Sequence, residues 1–409
     1  MLNNWKTYKL SDFIDINPLV KLKASESYSF VEMKDLDANL KTVKPSDNKI
    51  LKGGAKFQNG DTLFARITPC LQNGKICQVK DLDKNVGFGS TEFLVFRGKK
   101  NISDSDFVYY LSREPFVRQF AEANMIGTSG RQRVAKEAFR NIELELPPLQ
   151  EQQSIASILS AIDDKIENNL AINKTLEEMA MALYKHWFVD FGPFQNGEFV
   201  ESELGLIPKG WEVKKIGNVI ETLGGGTPST TTKEFWEDGD ILWYSPTDLT
   251  RENSLFSFET AKKITPLGLQ KSSAKMFPAN SLLMSSRATV GLLTINTKDA
   301  CTNQGFITML PNENLSVYQL YFWVKQNMEL IISKCNGSTF KEISKSNFRD
   351  LDIIVANDIE KYIEESKNIF EQIKNNTSEN QTLTQLRDTL LPKLISGEVR
   401  LKEFREKVL

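Results

Sequence analysis

Residues 149–190 read LQEQQSIASILSAIDDKIENNLAINKTLEEMAMALYKHWFVD, and this stretch decides the fold. Apolar side chains and two asparagines recur at alternating intervals of four and three residues, which is the heptad pattern of a helix packed against a partner helix. The pattern predicts one long helix, which Pro147 and Pro148 precede. Its seam positions are Ile155, Leu159, Ile162, Ile166, Asn169, Asn173, Leu176, Ala180, Leu183 and Trp187.

A second stretch, about 207 residues later, has the same register. Its seam positions are Tyr362, Ser366, Ile369, Ile373, Asn376, Asn380, Leu383, Arg387, Leu390 and Leu394. Both stretches carry two asparagines at matching positions, and a seam asparagine specifies register and partner. We therefore predict that the two helices pair with each other as an antiparallel coiled coil. The alternative is a helical hairpin inside one large domain. Pro392 is expected to interrupt the second helix.

The sequence that precedes each helix is also repeated. Phe57 and Arg66 return as Phe277 and Arg287, and further echoes follow in the same order. They pair residues 5–12 with 211–218, 127–129 with 337–339, and 139–144 with 348–353. A repeat of this length indicates a duplicated unit in the order head, helix, head, helix.

Each head has a mixed pattern of secondary structure. Glycine-bounded apolar runs at 93–96 and 306–309 predict strands, and residues 107–122 and 317–334 predict helices. The fold class is therefore α+β, with two α/β heads in tandem pseudo-repeat separated by two long helices. About 38 helical residues at roughly 1.5 Å each would give a spacer on the order of 57 Å. Such a spacer suits a reader of two separated DNA half-sites.

Composition limits the class of protein. The chain has 409 residues, of which 40% are hydrophobic and 25% charged, too many residues for one ordinary core. It has no apolar run of membrane-spanning length and no signal peptide at its start, so we expect a cytoplasmic protein. The four cysteines match no zinc or redox spacing, and we expect reduced thiols.

Charge permits DNA binding without demonstrating it. The net charge is −2 overall, while residues 1–150 carry 23 basic and 18 acidic side chains. Residues 191–355 carry 16 basic and 18 acidic side chains, so the second head would need a local basic patch. The candidates for that patch are Lys262, Lys263, Lys271, Lys275 and Arg287.

Several motifs together resemble one known family. They are LPPLQEQQ at 146–153, WFVDF at 187–191, GLIPKGW at 205–211, GGTPS at 225–229 and LLPKLISGEV at 390–399. The sequence that contains them is similar to the specificity (S) subunits of type I restriction–modification systems, from the first head to the last helix. The first head lacks the Gly-Gly-Thr-Pro loop and has Asn17 and Pro18 roughly in its place.

The resemblance implies a domain plan. Residues 1–148 would form target-recognition domain 1 and residues 149–190 the family's conserved spacer helix 1. Residues 191–355 would form a junction and target-recognition domain 2, and residues 356–409 spacer helix 2 with a C-terminal tail. Each recognition domain would read half of an asymmetric bipartite sequence in double-stranded DNA.

The resemblance also implies partners. Two modification (methyltransferase) subunits would methylate adenine with S-adenosylmethionine, and restriction/translocase subunits would use ATP and Mg. This chain would bind no cofactor, no metal and no membrane.

The residues themselves argue against catalysis. The single histidine, His186, is expected in the packed seam and so to be structural. The sequence contains no Gly-x-x-x-x-Gly-Lys-Ser/Thr phosphate loop and no amino-methyltransferase motif. An enzyme acting on nucleotides therefore has no motif behind it. The competing hypothesis is a scaffold whose heads bind other proteins, which the near-neutral second head favours.

Polar residues on loops are the candidates for DNA contact, because base edges are read by hydrogen bonds. In the first head they are Arg66, Thr68, Gln72, Asn73, Lys75, Thr128, Ser129, Arg131, Gln132 and Arg133. In the second head they are Thr227, Ser229, Thr230, Tyr244, Ser245, Arg287, Asn303, Gln304, Ser338, Thr339 and Lys341. The strongest group is Arg131, Gln132 and Arg133, in a glycine-bounded loop. The alternative for each is an ordinary polar loop residue.

Overall fold

The computed structural model describes residues 4–128, 130–252, 254–337 and 341–400. The chain divides into two units, the first made of residues 1–168 with 380–409 and the second of residues 169–379. Both boundaries fall inside a long helix. Each unit therefore contains one head and one segment of each long helix.

The first head consists mainly of short strands. They are β1 (Lys6–Lys9), β2 (Ile14–Ile16), β3 (Ser27–Val31), β4 (Thr42–Val43), β5 (Asp47–Ile50), β6 (Ala55–Gln58), β7 (Thr62–Ala65), β8 (Ile76–Val79), β9 (Val86–Gly89), β10 (Phe93–Gly98), β11 (Met125–Ile126), β12 (Arg133–Val134) and β13 (Glu143–Leu146). Its helices are α1 (Leu10–Phe13), α2 (Ser105–Arg113) and α3 (Pro115–Ala123). Short 3₁₀ turns cover Met33–Asp35, Asp83–Asn85 and Lys136–Asn141, and the long helix α4 (Leu149–Phe188) follows.

The second head has the same kinds of element. Its strands are β14 (Phe199–Ser202), β15 (Gly205–Pro208), β16 (Glu212–Lys215), β17 (Glu221–Gly224), β18 (Ile241–Tyr244), β19 (Phe256–Ser257), β20 (Lys262–Ile264), β21 (Leu282–Ser285), β22 (Leu293–Asn296), β23 (Ala300–Thr302), β24 (Phe306–Leu310) and β25 (Asp352–Val355). Its helices are α5 (Ile216–Val219), α6 (Pro246–Glu252), α7 (Pro266–Gln270), α8 (Val317–Gln326), α9 (Met328–Ser333) and α10 (Lys345–Arg349). The 3₁₀ turns are Gly192–Phe194 and Lys233–Phe235, and the last helix is α11 (Glu360–Ile395).

The two heads share a sheet topology, which confirms the predicted duplication. The five-stranded sheet has the order β2-β10-β7-β8-β4 in the first head and β17-β24-β21-β22-β19 in the second. In both sheets the last pair is parallel, β4 with β8 and β19 with β22. Each head is also closed by a pair of distant strands, β1 with β13 and β16 with β25. The smaller sheets are β5-β3-β9-β6 and β20-β18-β23.

The strand predictions at 93–96 and 306–309 are confirmed as parts of β10 and β24. The predicted helix at 107–122 is instead two helices, because Pro115 starts a new one. The Glu114 side chain accepts a hydrogen bond from the Val117 amide and caps it. The predicted helix at 317–334 is likewise divided, at Asn327.

In the first unit, segments of α4 and α11 contribute to the core of the head. Ile155, Leu159 and Leu394 are buried in one apolar cluster with Phe64 and Phe139. Between the two helix segments, the Asn380 side-chain amide donates to the Ile166 carbonyl at 3.3 Å. Burial of apolar surface therefore holds this head and its helix segments together.

In the second unit, the remaining segments of α4 and α11 pack in the same way. Asn376 donates to the side-chain oxygen of Asn173 at 2.8 Å, and Asn169 donates to Glu379 at 2.8 Å. Every predicted seam residue, in both units, is buried or half-buried. The polar seam residues named here are hydrogen-bonded, as burial of polar groups demands.

A buried ion pair joins three elements of the first unit. Arg387 on α11 donates to Asp163 on α4 at 2.8 Å, and the two side chains are 3% and 2% exposed. The Tyr110 hydroxyl on α2 donates to the other Asp163 oxygen at 2.6 Å. Burial raises the pKa of Tyr110, so its hydroxyl remains a donor. Arg387, the one charged residue among the predicted seam positions, is thereby satisfied.

Two expectations about the helices are wrong. The second helix is not interrupted at Pro392 but continues to Ile395. Pro392 costs the helix one backbone hydrogen bond, and burial of its neighbours Leu391 and Leu394 in the core offsets that cost. His186 is exposed rather than packed in the seam, and its ring lies close to the backbone of Gly192.

We expect Arg387→Met to lower the free energy of unfolding by about 3–5 kcal/mol, because it leaves the Asp163 carboxylate buried without its cation. Urea denaturation of the full chain measures the change. Lys44→Met is the control, since it removes an exposed ion pair with Asp81 (70% and 62% exposed) and should change stability little. Equal losses for the two variants would contradict the assignment.

Candidate nucleic-acid interface

The first-head candidates come together where the loop after β7 meets the β11–β12 hairpin. The Arg66 amide donates to the Glu92 carbonyl at 3.0 Å, and the Arg66 carbonyl accepts from the Val134 amide at 2.9 Å. Ile67 and Arg133 form an isolated antiparallel bridge. The loop is thus held between the residue before β10 and strand β12.

The hairpin tip is shaped by glycine. Gly127 and Gly130 have φ of 140° and 78°, which favour glycine, and a Cβ on Gly127 would lie 2.9 Å from the Arg131 carbonyl oxygen. The Arg131 amide closes the turn by donating to Thr128 at 3.0 Å. Thr128 and Arg131 are exposed. Ser129 lies outside the described residues.

Thr68 ties the loop to the hairpin. Its amide donates to the Gln132 carbonyl at 3.0 Å, and its hydroxyl oxygen accepts from the Gln132 amide at 3.1 Å. The Thr68 side chain therefore holds the backbone of the hairpin in place. The side chain of Gln132 is half-buried and does not take part in these backbone contacts. The structure places the predicted residues Thr68, Gln132 and Arg131 side by side.

Arg133 forms an ion pair with Glu92, which is not among the residues predicted from the sequence. Its Nε lies 3.0 and 2.9 Å from the two Glu92 carboxylate oxygens, and Nη2 lies 2.7 Å from Oε1. These hydrogen bonds raise the pKa of Arg133, which keeps the guanidinium charged. No local pattern could have indicated Glu92, because it precedes its partner by 41 residues.

The remaining candidates of this head lie on the turn between β7 and β8. Gln72 and Asn73 are exposed. The Gln72 carbonyl accepts a hydrogen bond from Arg118 at 3.2 Å. Lys75 is half-buried and donates to the Met33 carbonyl at 2.9 Å, so its ammonium already has a structural partner.

In the second head, the Gly-Gly-Thr-Pro loop meets the loop between β23 and β24. The Thr227 hydroxyl donates to the side-chain oxygen of Gln304 at 2.6 Å. The Asn303 side-chain oxygen accepts from the Gly305 amide at 2.8 Å, which shapes that loop. Ser229 and Thr230 are exposed, and the indole of Trp236 donates to the Ser229 carbonyl at 3.0 Å.

Two predicted residues of the second head have side chains that serve the fold. Tyr244 is 0% exposed and lies in an apolar cluster, so the prediction that it contacts DNA is wrong. The Ser245 hydroxyl and amide both bond to the Asp248 carboxylate, at 2.7 and 2.9 Å. Tyr244 is buried because strand β18 is covered on both of its faces. Ser338 and Thr339 lie outside the described residues, and Lys341 is exposed.

The backbone pairing corrects one alignment of the repeat. Ser286, not Arg287, takes the place of Arg66: its amide donates to the Gly305 carbonyl at 2.8 Å, and its carbonyl accepts from Ile343 at 2.9 Å. Arg287 instead forms the bridge with Glu342 that matches the bridge between Ile67 and Arg133. The repeat therefore shifts by one residue at this point.

No group of three or more His, Cys, Asp or Glu side chains suited to a metal ion occurs within the described residues. Across the same part of the chain, no helix combines the length and apolar content that a bilayer crossing requires. Cys70, Cys77, Cys301 and Cys335 are free thiols.

A family model of the type I restriction modification DNA specificity domain matches residues 3–178 and 208–389. The chain belongs to the type I restriction–modification specificity subunits. Specificity subunits are the non-catalytic components of these systems. The two matched regions cover both heads and most of both long helices, which agrees with the tandem α+β fold.

Individual specificity subunits are similar along most of their length. The type I restriction enzyme HindI specificity subunit of Haemophilus influenzae is 28% identical, over 97% of this chain and 100% of that protein. The MjaIX specificity subunit of Methanocaldococcus jannaschii is 28% identical, over 73% and 70%. The crystal structure of a type I S subunit from M. genitalium has a similar fold, with a TM-score of 0.53 and 15% identity over 97% and 98% of the two chains.

We expect Thr68→Val to lower stability by about 1 kcal/mol and to speed hydrogen exchange at the Gln132 amide, because that amide loses its acceptor. Thermal unfolding and hydrogen-exchange mass spectrometry measure the two effects. Thr62→Val is the matched control: Thr62 is 0% exposed and its hydroxyl has no partner, so valine should be neutral or stabilising there. Unchanged exchange at Gln132 in Thr68→Val would refute the link.

Proposed function

We propose that this specificity subunit reads an asymmetric bipartite sequence in double-stranded DNA, with one half-site for each head. The observation that carries the proposal is the duplicated head. Both copies have one sheet order, and both have an isolated bridge at the same strand edge, between Ile67 and Arg133 in one and between Arg287 and Glu342 in the other. Similar domains with different side chains at that edge suit two different half-sites.

Partner subunits would supply the chemistry. We propose that two modification subunits, using S-adenosylmethionine, and restriction/translocase subunits, using ATP and Mg, assemble on this chain in the cytoplasm. The chain itself would contribute sequence recognition and a scaffold. Free thiols are usual in that compartment.

The proposed scaffold is an antiparallel coiled coil of α4 and α11. In the first unit Asp163 bonds to Arg387 and Ile166 to Asn380. In the second, Asn169 bonds to Glu379 and Asn173 to Asn376. In each unit, the contacting residue on α11 has a lower number as the contacting residue on α4 has a higher one. Antiparallel pairing requires this order. The polar seam positions would select this register over alternatives.

For DNA recognition, we expect Arg131→Ala or Gln132→Ala to weaken specific binding by about 1–3 kcal/mol if a bidentate base contact is lost. Gel-shift titrations with cognate and mismatched duplexes measure this. The exposed residue Gln153, on α4, offers a control as Gln153→Ala. If all variants discriminate equally between cognate and mismatched duplexes, the loop is not part of the interface.

Salt dependence separates this function from a scaffold whose heads bind only proteins, a reading that the near-neutral second head supports. Phosphate contacts release counterions, so the affinity for duplex DNA should fall steeply as salt rises, by about a thousandfold between 50 and 200 mM for six contacts. A flat dependence, or no duplex binding, would favour the protein scaffold.

For assembly, we expect Ile162→Asp with Ile166→Asp to abolish co-purification of the modification subunits, because both side chains are buried (9% and 4% exposed) and a buried carboxylate opposes packing. Pull-down from co-expressing cells tests this. Ala161→Asp with Asn168→Asp, at exposed positions on the same helix, is the control. Undiminished co-purification by the buried double variant would count against the scaffold.

A further inference from the structure

The contact between Glu92 and Arg133 leaves part of the guanidinium without a partner among the described residues of this chain. An arginine has five N–H donors. Nε and one donor on Nη2 face the Glu92 carboxylate, and one donor on Nη1 faces the Arg131 carbonyl at 3.3 Å. One donor therefore remains on each terminal nitrogen. The Arg133 side chain is 42% exposed and so is not closed off from a ligand.

Two donors on the terminal nitrogens are what a bidentate contact to a guanine needs, at O6 and N7 in the major groove. The Glu92 carboxylate holds the guanidinium by its Nε–Nη2 edge, which reduces the freedom lost on binding. It also disfavours a phosphate ligand, because the carboxylate, 23% exposed, would repel a second anion. A neutral base edge meets no such repulsion.

The second head also has an arginine at the matching bridge, but the arginine lies on the other of the two bridged segments. Where the first head has Ile67 opposite Arg133, the second has Arg287 opposite Glu342. The residue that matches Glu92 is Gly305, and a Cβ there would lie 3.2 Å from the Arg287 Nε. The absence of a side chain at 305 thus gives Arg287 room to cross this position. Each head brings one arginine to the same strand edge, and the two are supported differently.

We propose that Glu92 is a positioning residue that orients Arg133 for a bidentate contact with one guanine of the half-site read by the first head, and that Arg287 occupies the equivalent place in the second head. This inference rests on the proposed function, since it names a base that the first head selects. It predicts a guanine requirement in each half-site, with Glu92 behind the arginine of the first head and Gly305 at the matching position of the second.

The test is selection of a binding motif from a pool of randomised duplexes by the full-length chain, co-expressed with its modification subunits. Fluorescence anisotropy then measures affinity for the selected duplex, for duplexes with single guanine-to-adenine changes, and for an unrelated duplex. Arg133→Ala should remove the preference for one guanine in one half-site and leave the other half-site unchanged. Discrimination at that base should fall about tenfold or more.

Glu92→Ala should have a signature that general damage would not produce. Discrimination at the same guanine should fall about tenfold, while affinity for the unrelated duplex should rise because a negative charge is lost. Glu92→Gln, which keeps one acceptor, should fall between Glu92→Ala and the wild type. The double variant with Arg133→Ala should match Arg133→Ala alone at that base.

Glu32→Ala is the matched control, because Glu32 and Lys49 form an ion pair of similar exposure (32% and 41%) in the same unit. It should leave discrimination unchanged. A wild-type chain that selects no motif would refute the proposed function itself. A selected motif that Arg133→Ala or Glu92→Ala leaves intact would overturn only this inference.

Discussion

The ion pair between Asp163 and Arg387 constrains the whole first unit. Two opposite charges with almost no exposure must satisfy each other, because either one alone would be buried without compensation. The Tyr110 hydroxyl completes the carboxylate, and Arg387 also donates to the Asn39 carbonyl at 3.4 Å. One network thus joins the recognition head to both helix segments.

In the second unit, aromatic packing attaches the head to the helix segments. The shift of about 207 residues that aligns the two helices places Phe370 at the position of Asp163. Phe370 is 1% exposed and lies edge-on to Tyr318, Tyr321 and Phe322 of α8, with ring centroids 4.7 to 5.9 Å apart. Such contacts stabilise through area and ring geometry rather than charge. The duplicated heads have therefore kept their sheet order while the chemistry of their attachment to the helices has diverged.

The proposed recognition edges have diverged in a related way. Backbone pairing is the same in both heads, so the positions are equivalent, yet the arginine belongs to the hairpin strand in one and to the loop in the other. Because backbone hydrogen bonds hold this edge, side chains on it can change without loss of the fold. The proposed contact residues can therefore differ between the two heads while the scaffold stays the same.

The heptad spacing determined the long helices by itself, since a continuous apolar seam is a local property of the chain. Repeated motifs likewise determined that there are two similar heads, and Phe93–Gly98 and Phe306–Leu310 are strands as their apolar runs predicted. The exposure of single residues was decided only by tertiary structure. Tyr244 resembled a polar loop residue but is buried by strands that meet it from distant sequence, and His186 is exposed although it neighbours the seam. The partner of Arg133 also depends on strand pairing across 41 residues, which no local pattern encodes. Hydrophobic periodicity is a property of residues close together in the sequence. Ion pairs and side-chain burial arise only when the sheets bring distant residues together.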